Sequence, residues 1–303
     1  MPSWRTTLTG AGISGPRLRE DYTHAARRVL RREPAPYLAL RLLAAPALVP
    51  YLAAGLAFMN LVDDVAETGT PGQRAEGLAA LTGRVEAALK TGDSPDPVLR
   101  AYAHAVHTRA LPPHWISRFL DGAATAEAGF DGFDTEADFQ TYLDVYAWPG
   151  VLVFTGLQYQ GGPDPEQAAG WRRFVDAAQR VDFLADLCGD LADGRLCIPR
   201  SSLAEHAVTR ADLERARDTP AVRALLAAET RRARASLDAT HDVLGLAEPG
   251  LLPVIATMRE LMEQQLTAVE RAGVSALRRD VGYGLVAPLR TLARARKGLS
   301  RPR

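Results

Sequence analysis

The sequence predicts an all-α, single-domain protein. Three features carry that expectation: helix starts marked by a capping side chain directly before proline, apolar residues at helical spacing after each start, and no alternating β-branched run long enough for a sheet. Asp96-Pro97, Asp164-Pro165 and Thr219-Pro220 are starts of this kind, and Thr135-Glu136-Ala137-Asp138 reads as a capping box. The connections at residues 68–72 and 161–165 are short and rich in Gly, Pro and Asp or Thr.

Taken in order, a loose tail over 1–16 precedes a helix at about 17–32. Residues 42–62 are then 21 positions without a charge, long enough on paper to cross a bilayer. Pro46, Pro50, five alanines between Ala44 and Ala54, and Asn60 argue instead for a buried helix pair broken between the prolines. The run also ends in Asp63-Asp64 with no basic neighbour, a costly membrane edge. The second helix of that pair is expected at about 51–67, and others follow at 74–90, 97–109, 113–128, 135–147, 151–160, 166–192, 220–246 and 252–272. A short tail is expected at 298–303. No repeat or linker divides residues 1–303, which therefore read as one domain.

Composition narrows the function. Thirty-six Lys and Arg balance thirty-six Asp and Glu, which excludes a nucleic-acid binder working by bulk charge. Two cysteines exclude a disulfide scaffold and a four-cysteine zinc site. The first thirty residues hold no secretory core, so a cytoplasmic setting is expected. Residues 274–303 carry eight basic side chains against one acid, a tail suited to solvent or to peripheral contact with an anionic membrane. Gly10-Ala-Gly12-Ile-Ser-Gly15 matches a dinucleotide fingerprint by letter only, because no strand precedes it and Pro16 follows. His104 and His107 lie one turn apart without a third ligand nearby, and read as solvated helix positions. Cys188 and Cys197 read as small apolar residues.

Two acidic windows stand out. Asp63, Asp64 and Glu67 close the apolar helix, with Asp63 and Glu67 on one face. Asp182, Asp186 and Asp190 form an i, i+4, i+8 stripe in an otherwise apolar helix, and no Lys or Arg lies between Asp182 and Asp193 to pair with them. Like charges on one stripe repel, and on an inward face they demand protons or cations. Mg²⁺ takes carboxylate oxygens and bridges them to phosphate, so a metal-held diphosphate with an apolar tail is the implied substrate.

The segment Asp186-Leu-Cys-Gly-Asp190-Leu-Ala-Asp-Gly194-Arg195-Leu-Cys-Ile-Pro199 resembles the RDxxxDxxxGRxYLP signature of squalene and phytoene synthases. Gln179 and Asp182 fall where that family has Gln and Asn. Asp63-Asp64-Val-Ala-Glu67 looks like its first aspartate-rich motif, and Tyr142 with Tyr146-Ala-Trp-Pro-Gly150 resembles its Tyr…Val-Ala-Gly segment. Asp21-Tyr22-Thr-His-Ala25 stands at its Ser-Phe-Tyr-x-Ala opening. The likeness spans roughly residues 20 to 290.

The resemblance implies an isoprenoid-synthase-type helical bundle around a central apolar cavity, and Mg²⁺-assisted ionisation of an allylic diphosphate. It implies metal ligation by Asp63, Asp64, Glu67, Asp186 and Asp190 with Asp182 in support, Asp63, Asp186 and Asp190 being central to catalysis. Substrate contacts are expected from Tyr22, Asn60, Tyr142, Tyr146, Trp148, Gln179, Phe183 and Arg195. Four positions depart from the family pattern: Asn60 and Ala185 replace arginines, Asp21 replaces Ser, and Trp148 replaces Gly. Fewer phosphate donors and a filled channel then fit one prenyl diphosphate, dimethylallyl in the simplest case, beside an aromatic acceptor. This resembles the squalene-synthase-like carbazole prenyltransferases of secondary metabolism. The alternatives are head-to-head joining of two farnesyl or geranylgeranyl diphosphates, a terpene cyclase of the same fold, and a non-catalytic helical interaction protein.

Overall fold

The computed structural model describes residues 2–282 and 286–299. The described residues form sixteen α-helices and no β-strand; an isolated bridge joins Gly132 and Leu196. In chain order they are α1 (Trp4–Gly10), α2 (Pro16–Arg32), α3 (Pro34–Leu43), α4 (Val49–Glu67), α5 (Pro71–Thr91), α6 (Pro97–Arg109), α7 (Pro113–Gly122), α8 (Glu136–Tyr142), α9 (Trp148–Thr155) and α10 (Pro165–Ala185). There follow α11 (Leu187–Ala192), α12 (Arg200–Glu205), α13 (Arg210–Glu214), α14 (Pro220–Asp238), α15 (Leu252–Ala272) and α16 (Val286–Leu299).

The predicted starts are made by the predicted side chains. Asp96 accepts from Val98 N, Thr219 from Val222 N, and Thr135 with Asp138 completes a capping box. Thr70 with Gln73 and Asp164 with Gln167 form two more. α4 occupies the centre because it is apolar on every side: residues 49–58 are buried without interruption, and α2, α5, α6 and α9 pack around it. It is long and apolar enough to cross a membrane, but 72% of that apolar window is buried inside the protein. Gly55 allows α9 to press on it, since a Cβ there would lie 2.6 Å from Phe154 Cβ.

The expected loose tail over 1–16 is a correction. Residues 4–10 form α1, capped by Ser3 Oγ, and Leu8 and Ile13 are buried because Trp4 anchors the segment through Nε1 to Thr23. At the other end, 298 and 299 belong to α16, and 300–303 lie outside the described residues. The helix expected over 166–192 breaks at Asp186 (φ −100°, ψ 12°) into α10 and α11. The one expected over 220–246 stops at Asp238, where Thr240 Oγ1 donates to the Leu237 carbonyl and competes with the helical ladder. α3 is the first helix of the pair expected around Pro46 and Pro50, starting further back at Pro34, whereas α12, α13 and α16 have no counterpart in the sequence expectation; α12 and α13 are short, and tertiary packing decides such helices.

Two helices expected as continuous contain π-helical turns. α7 runs on as a π turn over Ala123–Glu127, and α8 as one over Leu143–Ala147. The two π segments pack together at Gly122, where a Cβ would fall 2.0 Å from the Val145 carbonyl oxygen, so no other residue fits.

Candidate active site

Both acidic windows open into one cavity of about 470 Å³. α4 contributes Met59, Asp63 and Glu67; α10 and α11 contribute Gln179, Asp182, Phe183 and Asp190, with Asp186 at their junction. Backbone hydrogen bonds from Asp186 N to Asp182 O and from Asp190 N to Asp186 O (both 2.9 Å) carry the ladder through the break, so the stripe stays on one side. The segments around the π turns close the space with Phe119, Glu127, Tyr142, Tyr146, Ala147, Gly150 and Val151. Its volume falls in the range of about 300–1,000 Å³ usual for a small-molecule site. The expected apolar cavity is apolar on one side only: seven carboxylates line it, with Arg195 the one guanidinium among the described residues.

Hydrogen bonds fix the tyrosines to acids. Tyr146 donates to Asp63 Oδ1 (2.7 Å) and Tyr142 to Glu127 Oε2 (2.7 Å), while Arg195 Nη1 donates to Glu127 Oε1 (2.8 Å). Tyr146 also stacks on Phe119, at 5.4 Å between centroids and 18° between planes. Burial raises the Asp63 carboxyl to about 7 against the lowering effect of Tyr146, with Glu67 adding to the rise. Burial, then Asp186 and Asp190, raise Asp182 to about 7 as well. Asp186, Asp190 and Glu67 are also shifted up, again mainly by burial. Raised carboxyls gathered in one cleft, with Glu67, Asp182 and Asp186 still open to solvent, are what a cation would relieve. Among the described residues no three of them converge closely enough to hold an ion by themselves.

Four expected site residues lie elsewhere. Asp64 turns away from the cavity and pairs with Arg28 and Arg32 of α2. Tyr22 is buried in the core against His104 Nδ1 (3.0 Å). Asn60 is fully buried on α4 beside Glu33. Trp148 packs edge-on against Trp115 (5.2 Å) under the Arg118 guanidinium, so it does not fill the channel; Ala147 and Gly150 face it instead. Asp21 is likewise no obstacle to phosphate, since it is buried and ion-paired with Arg100. The cavity therefore gathers Asp63, Glu67, Asp182, Asp186, Asp190, Tyr142, Tyr146, Gln179, Phe183 and Arg195 from the expected set.

Glu127 was not anticipated. Its sequence signal is an acid four residues after Ala123, continuing the buried stripe of Ile116, Phe119, Leu120 and Ala123. Asp280 is a second unexpected acid: its Oδ1 accepts from Gly189 N (2.9 Å), beside the Asp186 end of the stripe.

Comparison with known proteins agrees with this fold. Squalene synthase HpnC from Alicyclobacillus acidocaldarius is similar over 87% of this chain and 98% of its own, at 26% identity and a TM-score of 0.77. A dehydrosqualene synthase solved in complex with ligand has the same fold (TM-score 0.78, 17% identity, 93% and 97% of the two chains), as does YisP from Bacillus subtilis (0.69, 17%, 91% and 96%). The bifunctional protein CrtB/UppS of Streptomyces coelicolor is 28% identical over 237 residues, 77% of this chain. This chain spans about two-fifths of that relative's length, the match covering 41% of it. The squalene/phytoene synthase model matches residues 30–284, a span holding both acidic windows, both π turns and Arg195. The chain thus belongs to the squalene/phytoene synthase family, whose members are enzymes of the prenyltransferase type.

Proposed function

We propose that this enzyme ionises one allylic diphosphate, dimethylallyl in the simplest case, and transfers its prenyl group to an aromatic carbon of a natural-product acceptor such as a carbazole. The observation that carries the reading is the charge of the cavity: seven carboxylates and one guanidinium, itself engaged by Glu127. Such a lining holds a diphosphate only with cations, and offers no second set of arginine donors for a second diphosphate.

Asp63 and Glu67 on one wall, and Asp186 and Asp190 on the other with Asp182 behind them, are the residues that would hold Mg²⁺. A divalent cation held there would supply positive charge to offset the negative charge that develops on the departing diphosphate. Arg195, on the same cavity wall, is the guanidinium available to donate to those oxygens. As the ester C–O bond breaks, the allylic cation is left among Phe119, Tyr142, Tyr146 and Phe183, whose ring faces favour positive charge and whose bulk excludes water. The acceptor ring then supplies the electron pair for the new C–C bond, and its proton leaves to a carboxylate or to the released diphosphate.

Head-to-head joining of two prenyl diphosphates is the second reading. It is favoured by the likeness to HpnC over 98% of that chain and by Trp148 standing outside the cavity. Incubation with Mg²⁺ and dimethylallyl or farnesyl diphosphate, with and without an aromatic acceptor, separates the two. Turnover dependent on the acceptor is expected; a hydrocarbon formed from farnesyl diphosphate alone would replace the first reading by the second.

A further inference from the structure

Glu127 sits where a carboxylate is costly. It is 4% exposed, on a π turn, in a helix whose other inward residues are apolar or small. Each of its oxygens has one partner: Tyr142 hydroxyl on Oε2 and Arg195 Nη1 on Oε1. Buried ion pairs add little to stability compared with apolar groups of the same shape, so the arrangement calls for another account. The π turn is the device that brings it there. One extra residue in the turn shifts the register, and the tight seat of Gly122 on Val145 locks it against the second π turn, which carries Tyr146.

What the pair controls is the position of Arg195. This guanidinium shares the cavity with six carboxylates besides Glu127, and its Nε stands 3.8 Å from Asp190 Oδ1 against 2.8 Å from Nη1 to Glu127. Phe130 supports it from below, its ring centroid 4.9 Å from the guanidinium carbon. With no carboxylate at 127, the strongest remaining attraction is the acid stripe, and Arg195 would close on Asp190 and occupy oxygens that a divalent cation needs.

We infer that Glu127 is a positioning residue that holds Arg195 at 3.8 Å from Asp190 and keeps it from closing fully on the Asp186–Asp190 stripe, leaving those carboxylates open to a divalent cation and the guanidinium open to diphosphate. The inference rests on the reading of the cavity as a metal–diphosphate site. It deepens that reading by making the π turn of α7 a determinant of metal affinity, through an arginine rather than through a ligand.

The test reads Mn²⁺ binding by calorimetry on the full chain, with and without inorganic pyrophosphate. Glu127→Gln is expected to weaken Mn²⁺ about tenfold, the usual scale for a residue acting behind metal ligands. Adding Arg195→Gln to it is expected to restore affinity for Mn²⁺ alone to the wild-type level, because the competing cation is gone. A merely structural Glu127 predicts the opposite, a double variant no better than the single one, and that result overturns the inference. Unchanged Mn²⁺ affinity in Glu127→Gln overturns it too. Glu127→Asp serves if the amide variant does not fold: its shorter reach should cost about threefold, recovered on adding Arg195→Gln, and no cost at all counts against the tether. A wild-type protein that takes up no Mn²⁺ with or without pyrophosphate defeats the site reading itself, whereas normal wild-type binding with indifferent variants defeats only the tether.

Discussion

On α4, Asp64 meets Arg28 and Arg32, Glu67 stands 3.8 Å from Arg32, and Asp63 accepts the Tyr146 hydroxyl. Across the cavity, among the described residues, Asp182 and Asp186 have neither an ion pair nor a side-chain hydrogen bond. Asp190 there has the Cys197 thiol at 3.2 Å and Arg195 at 3.8 Å. One wall is partly neutralised by a neighbouring helix, and the other is compensated only at Asp190. Carboxylates on helices thus do different work: α4 uses Asp64 to hold α2, while α10 and α11 turn Asp182, Asp186 and Asp190 toward the cavity. Helix-local spacing gives no hint of this, because the compensating arginines lie about 30 positions away in the chain.

The comparison breaks first at Asp63 against Asp64. Asp63→Ala and Asp186→Ala should each lower kcat about 10³-fold in Mg²⁺, on the scale of losing a group that stabilises transition-state charge, whereas Asp64→Ala should stay within about threefold of wild type. Steady-state kinetics at saturating Mg²⁺ measures this; equal losses at 63 and 64 would put both acids in the site. Next is the hinge between the walls. Gly122→Ala drives a Cβ to 2.0 Å from the Val145 carbonyl oxygen and should destabilise the fold by about 3 kcal/mol or more, read by chemical denaturation.

A smaller effect sharpens the contrast in charge. Asp63 and Asp182 titrate near 7 in the folded protein and near 3.8 when unfolded. Between about pH 4 and 7 the native state therefore keeps protons that the unfolded chain has released, and metal-free stability should fall as pH rises through that window. Thermal melts without divalent ions should show Tm dropping from pH 5 to 8, with the drop reduced by Mg²⁺. Asp182→Asn should raise Tm at pH 8 by about 2 °C or more while changing little at pH 5. Asp64→Asn should lower Tm slightly at both, since it loses partners instead of repulsion. The least effect belongs to Trp148→Phe: a side chain outside the cavity should leave prenyl chain-length preference within about twofold, and a shift toward longer donors would return Trp148 to the channel.

Much of this was legible from the chain. Thr135, Asp164 and Thr219 announce their helices because a cap is a contact within three residues, and Asp182, Asp186 and Asp190 share a face because the α-helix has one period. The substrate-side departures were less transparent. Asp21, Asn60 and Trp148 were weighed by position in a pattern, yet each side chain takes its surroundings from another helix: Asp21 from Arg100, Asn60 from the Glu33 region, Trp148 from Trp115 and Arg118. The π turns were hidden too, since a single added backbone residue leaves no mark on composition and barely disturbs periodicity.

What the sequence alone determined is therefore everything with a short reach: an all-α chain, its capped starts, the apolar α4, and two acid windows. Tertiary structure decided which of those acids face one another, which are neutralised from α2, and that Glu127 and Arg195 meet between them. The physical reason is range. Caps and i, i+4 neighbours are set by bonds a few residues long, whereas electrostatic balance in an enclosed cavity depends on groups that only packing brings within a few ångströms.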